Sequence, residues 1–127
     1  MLKSNVTGIT FEKVDGILII RSNCPLGEDS GKEIERLAKA ALDEGSLDFI
    51  IDFGMTKAIS SPAVAAILNT TEEIVDLKNG RVLLSGLTEL NVKVFEMVGI
   101  LFYADIASNI EEARKRFQTG AAKHKKS

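Results

Sequence analysis

The sequence predicts a single α/β domain: one mixed, mostly parallel β-sheet with its helices packed mainly on one face. Three observations carry this. Short apolar strands alternate with helix-period stripes, the order that gives parallel pairing through right-handed crossovers. The first two strands are joined by Asp15-Gly16, both tolerant of positive φ, which marks a hairpin and makes the sheet mixed. Within residues 48–53, Phe49, Ile50 and Ile51 are apolar on consecutive positions, as expected of a central strand covered on both faces. The predicted order is β-β-α-β-α-β-α-β-α.

Residues 9–14 alternate and residues 17–20 are continuously apolar, giving the two hairpin strands. Residues 22–31 read as a polar loop with Pro25, Gly27, Glu28 and Asp29. Ile34, Leu37, Ala38, Ala41 and Leu42 then form one helical stripe, closed by Gly45. After the central strand, a second helix spans residues 62–78. Val64, Ile67, Leu68, Thr71, Ile74, Val75 and Leu77 form its packing face, and Ala63, Ala65 and Ala66 permit close approach. Asn79-Gly80 ends it, and residues 81–85 form the next strand. A short helix over residues 90–98 turns Leu90, Val94, Phe95 and Val98 inward and stops at Gly99. The helices at 62–78 and 90–98 are expected to pack together on one face. Residues 101–104 are read as the last strand. Ser108 is expected to cap the last helix, in a capping box with Glu111. The domain covers residues 1–118; residues 119–127, with Lys123, His124, Lys125 and Lys126, read as a basic flexible tail.

A chain of 127 residues suits one domain with a real core. A net charge of −2 argues against general nucleic-acid binding. Cys24 is the single cysteine, so no internal disulfide forms, which fits a reducing compartment. No apolar run is long enough for membrane insertion and no signal-peptide core opens the chain, so a cytoplasmic protein is expected. Catalytic constellations are missing: the one histidine is His124 in the tail, no Cys/His cluster has metal-ligand spacing, and no phosphate-cradling glycine loop is present. No metal, cofactor or enzymatic activity is therefore expected. Asp52 ends a strand, where active-site carboxylates often sit, but a lone carboxylate there serves equally to cap the following loop.

The informative stretch is the loop that ends Ile59-Ser60-Ser61-Pro62. Proline suits the first helical position, where its missing N–H would be unpaired anyway, so Ser61 is expected to be the N-cap. Ser60 then stands one residue earlier, beside a helix start that favours negative charge. Alone, such a pair means only a cap. Phosphorylation needs no catalytic machinery in its target, and the added charge of about −1.5 to −2 is enough to break an interface.

Three segments together resemble a STAS domain, the fold of bacterial anti-sigma factor antagonists. They are Phe49-Ile-Ile-Asp-Phe-Gly-Met-Thr, then Ser60-Ser-Pro-Ala-Val-Ala-Ala-Ile-Leu where the family has D-S-S-G and a helix start, and Asn79-Gly-Arg-Val-Leu-Leu-Ser-Gly-Leu followed by Val94-Phe-Glu-Met-Val-Gly-Ile. The last is similar to the family's strand, G-L turn and hF-x-M-x-G-L helix end. The resemblance runs from about Val6 to Phe117. It implies a non-catalytic regulator in a partner-switching system. The unmodified antagonist binds a serine kinase of the histidine-kinase-like ATPase type, which is the anti-sigma factor. That kinase phosphorylates the first serine, and a metal-dependent serine phosphatase reverses the change.

By position the phosphoacceptor is Ser60. Ser61, Pro62, Ile59, Glu28 and Asp29 would form the helix-cap and partner-binding edge. Ile59 replaces the family aspartate and Pro62 the family glycine. Proline fixes φ near −65° and removes an N–H donor. Gly27-Glu28-Asp29 resembles the family's G-E-L-D loosely. An unswitched STAS scaffold or adaptor in a sensing or transport complex is the alternative.

Overall fold

A computed structural model describes residues 2–120. The hairpin strands are β1 (Ile9–Val14) and β2 (Ile17–Ser22), followed by α1 (Glu28–Asp43), β3 (Asp48–Asp52), α2 (Ser61–Glu72), β4 (Arg81–Ser85), α3 (Glu89–Met97), β5 (Asp105–Ala107) and α4 (Ile110–Gln118). The sheet order is β1-β2-β3-β4-β5, with β1 antiparallel to β2 and every other pair parallel. The predicted class, element order and central strand are those observed.

Both faces of the sheet are covered, unequally. Ile51, Phe49, Leu18, Ile20, Val82 and Leu84 point into the larger core, which α1, α2 and α3 complete. Ile50, Ile17, Ile19 and Leu83 point the other way, against Ala113 and Phe117 of α4. Ile50 and Ile51 are fully buried on opposite faces, which requires β3 to be central. The closest helix contact is α1 on α2. A Cβ added at Gly31 would lie 2.9 Å from the Ala63 Cα and 3.4 Å from the Ala66 Cβ, so the contact requires glycine there.

Several elements depart from the sequence reading. α1 starts inside the expected loop, because the Ser30 hydroxyl accepts from the Gly27 N–H (2.9 Å) and Glu28 and Asp29 complement the helix start. The second helix converts to a π-helical turn over Glu73–Leu77, where the Lys78 N–H donates to the Glu73 carbonyl. The wider turn rotates Leu77 out of the stripe, leaving it 74% exposed. The expected strand at 101–104 is instead a 3-10 turn, Ile100–Phe102, and β5 pairs three residues later. In that apolar run Ile100 and Ala104 are buried while Phe102 between them is 49% exposed, whereas a strand would place all three on one face. Asn109, not Ser108, caps α4: its Oδ1 accepts from the Glu112 N–H (2.8 Å), while the Ser108 N–H donates to the Glu112 carboxylate (2.7 Å). On α3, Phe95 is buried, but Leu90 and Val98 stand 69% and 42% exposed. The helices at 61–72 and 89–97 do share a face, yet a groove separates them. Of the expected tail, residues 121–127 lie outside the described residues.

Candidate functional site

The loops that follow β2, β3 and β4 meet at the C-terminal ends of the parallel strands, the end where α/β sheets place ligands and partners. The loop from Phe53 to Ile59 is held at three points. At its root, the Asp52 carboxylate accepts from the Ser85 hydroxyl (2.7 Å) and from the Gly54 N–H (3.1 Å). The Met55 N–H donates to the Gly86 carbonyl (2.7 Å), with Gly54, Met55 and Gly86 all at positive φ. A Cβ at Gly86 would lie 2.8 Å from Asp52 Oδ1, so glycine is needed for the loops to meet. Midway, buried Asn91 of α3 donates its Nδ2 to the Thr56 carbonyl (3.0 Å). At the far end, Leu26 and Ile59 form a parallel bridge: the Leu26 N–H donates to the Ala58 carbonyl (2.8 Å) and the Ser60 N–H to the Leu26 carbonyl (2.9 Å).

That bridge decides the serine assignment. It holds Ser60 extended, with φ −75° and ψ 162°, so the helix starts from the Ser60 carbonyl, which accepts from the Val64 N–H (2.9 Å). Ser60 is therefore the N-cap, and its Oγ accepts from the Ala63 N–H (3.3 Å). The expectation that Ser61 caps the helix is corrected: Ser61 is the first helical residue and Pro62 the second. Ser60 is half-buried, while Ser61 and Pro62 are exposed.

Glu28 and Asp29 stand exposed on the first turn of α1, where Glu28 pairs with Lys32 (3.1 Å). Through the Leu26–Ile59 bridge and the Gly31–Ala63 contact, the starts of α1 and α2 lie side by side. Ser60, Ile59, Pro62, Glu28 and Asp29 thus share one end of the molecule. Asp52 is fully engaged in the loop root, the capping role that a lone carboxylate allows. Sequence reasoning missed the Asn91 and Gly86 contacts, because their partners, Thr56 and Asp52, lie more than thirty residues away along the chain. The Ser85-Gly86 turn was the available signal. Among the described residues no group of three or more His, Cys, Asp or Glu side chains converges to hold a metal ion, and no helix is long and apolar enough to cross a membrane.

The family model for the STAS domain matches residues 8–113. BtrV of Bordetella bronchiseptica, assigned as an anti-sigma factor antagonist, is 26% identical over 111 residues, covering 87% of this chain and 95% of BtrV. Among solved structures, an anti-sigma factor antagonist from Thermotoga maritima superposes with a TM-score of 0.75 at 18% identity, over 87% of this chain and 94% of its own. The Bacillus cell-fate determinant SpoIIAA, in its phosphorylated form, superposes with a TM-score of 0.66 at 24% identity, over 86% of this chain and 98% of its own. At these identities the two structures establish the fold.

Proposed function

The chain belongs to the STAS domain family, and from that premise we propose that it is an anti-sigma factor antagonist whose partner binding is switched by phosphorylation of Ser60. The observation that carries this reading is the position of Ser60: the N-cap of α2, at a surface end, on a loop fixed on both sides. The partner is an ATP-dependent serine kinase that doubles as the anti-sigma factor. It transfers the γ-phosphoryl group to Ser60 Oγ, ADP leaves, and the hydroxyl proton passes to the kinase. A serine phosphatase hydrolyses the ester.

The physical consequence is confined to binding. A phosphate on Ser60 gains about 0.3–1 kcal/mol from the helix start when exposed. Pro62, without an N–H, trims the donors available to it. Glu28 and Asp29 on the adjacent helix start oppose the new charge. These effects are small against the stability of a domain, so the modified protein stays folded. A partner seated on this end would instead have to desolvate a dianion beside two carboxylates. A Bacillus relative solved in its phosphorylated form supports the idea that the fold tolerates phosphate.

Ser60→Asp is the informative variant. Aspartate caps helices as well as serine, so it keeps the cap while adding charge. With the kinase and ATP, the expected result is one added phosphate in wild type, none in Ser60→Ala, and a kinase complex weakened by Ser60→Asp at unchanged melting temperature. No added phosphate, with equal kinase binding by wild type and Ser60→Asp, would leave the unswitched scaffold as the better reading.

A further inference from the structure

α2 and α3 both run from the Ser60 end of the sheet toward its other end, and the space between them is not closed by side chains. An apolar hollow of about 440 Å³ is lined by Ile59, Val64, Ala65, Leu68, Val94 and Val98, with Ser61 at its upper end. A second hollow, about 360 Å³, shares Leu68 and Val98 with the first and adds Glu72, Phe102 and Tyr103. The two are therefore one groove. Val94 and Val98 form one bank, and Ser61, Val64, Ala65, Leu68 and Glu72 the other. Phe102, 49% exposed, lies at the Glu72 end. At the helical rise of 1.5 Å per residue the groove's length is about 16 Å, or three helical turns.

We propose that this groove docks an amphipathic helix of a partner protein, running antiparallel to α2, with a lysine or arginine near its N-terminus set against Glu72. A helix suits the groove because its two long banks are formed mainly by α2 and α3, whose backbone groups are already paired. None of the five sheet strands lines the groove, and apart from the bridge residue Ile59 its walls are helices and turns, so a guest that satisfies its own backbone fits it. The direction follows from charge. The upper end is the positively polarised start of α2, which favours the carbonyl end of a guest helix. The lower end is acidic: the Tyr103 hydroxyl bonds Glu72 (3.4 Å), and burial together with the nearby Asp76 and Glu72 charges pushes the phenol up. A second copy of this chain fits less well, because a groove facing a groove supplies no ridge to fill either. The proposal stands on the α2–α3 geometry and does not depend on phosphate at Ser60.

The test uses two fluorescein-labelled helical peptides of roughly fifteen residues. Both carry leucines at i, i+4, i+7 and i+11 on otherwise neutral polar faces. One bears lysine in its first turn and the other glutamate. Titrated against the full chain by fluorescence anisotropy, the lysine peptide should bind about two- to fivefold tighter, the range of an exposed ion pair. Glu72→Lys should reverse that order. Ala65→Trp, which fills the groove from an exposed position, should weaken both peptides about tenfold. Equal binding of the two peptides by wild type, or no loss in Ala65→Trp, overturns the proposal. So does a wild-type dimer in sedimentation that Ala65→Trp dissociates, since the occupant is then a second copy.

Discussion

The two flanks of α2 are built from the same small residues and end differently. Toward α1 the helix is sealed: Ala63 and Ala66 meet Gly31 with no room for a methyl group. Toward α3 it is open: Ala65 lines a groove that no side chain fills. Alanine on a helix face permits close approach but does not compel it. What seals one flank is the matching glycine on the neighbour, together with the Leu26–Ile59 bridge that ties the two helix starts. Among the described residues no comparable backbone bridge joins α3 to α2; the buried Asn91 of α3 reaches to the loop at Thr56 instead.

The largest expected effect tests the sealed flank. Inside a helix, Gly→Ala normally stabilises by roughly 0.5–1 kcal/mol. Gly31→Ala should instead destabilise by about 1–3 kcal/mol, the range for overpacking, because the new methyl meets backbone. Ala65→Leu on the open flank should change stability by less than about 0.5 kcal/mol. Urea unfolding of both variants decides it, and a stabilising Gly31→Ala would show that the helices slide apart freely.

Next in size is the cap at the boundary of the two flanks. Ser60→Ala should cost about 0.5–2 kcal/mol, since the Ala63 N–H loses its acceptor. Ser61→Ala should cost less than about 0.5 kcal/mol. Thermal unfolding of the pair separates them, and the reverse order would return the cap to Ser61.

The smallest effect concerns the other side of α1, away from α2. Buried Glu33 accepts from the Asn5 N–H and from Arg36 (2.8 and 2.9 Å), holding the N-terminal segment to the helix. The Arg36 guanidinium holds the Glu33 carboxyl below its ordinary pKa, against an opposing effect of burial. A lowered folded-state pKa means the contribution is present above the ordinary value of 4.5 and is lost as pH falls through the folded value. Glu33→Gln should therefore cost about 0.5–1.5 kcal/mol at neutral pH and progressively less below pH 4.5. A cost that does not vary between pH 7 and pH 3 would show that the carboxylate charge is irrelevant.

The sequence was legible where one element's own pattern decides its structure. Consecutive apolar residues placed β3 at the centre, and Asp15-Gly16 placed the hairpin, with Asp15 and Gly16 both at positive φ as the turn requires. It misled where a distant residue decides. The cap moved from Ser61 to Ser60 because Leu26, far back in the chain, holds Ser60 extended. The stripe Leu90–Val94–Val98 has the spacing of a buried face, but spacing cannot say whether a neighbouring helix comes close enough to cover it. In the stretch 100–104, hydrophobicity alone does not distinguish a strand from a tight turn. At the candidate site, the position of Ser60 at the start of α2 was readable, while its cap role and the clamps on its loop were not.

The polarity of the chain has a practical corollary. Phe117, near the end of α4, lies under the Arg81 guanidinium (5.1 Å), and Arg114 pairs with Asp15 in the β1–β2 turn (3.1 Å). α4 therefore finishes at the pole opposite Ser60, whereas the residues leading into β1 lie beside α1 at the Ser60 end. Anchoring the protein to a biosensor chip through the exposed Gln118 of α4 should leave the serine-bearing pole facing the flow. Anchoring through Thr7, beside the start of α1, would crowd it.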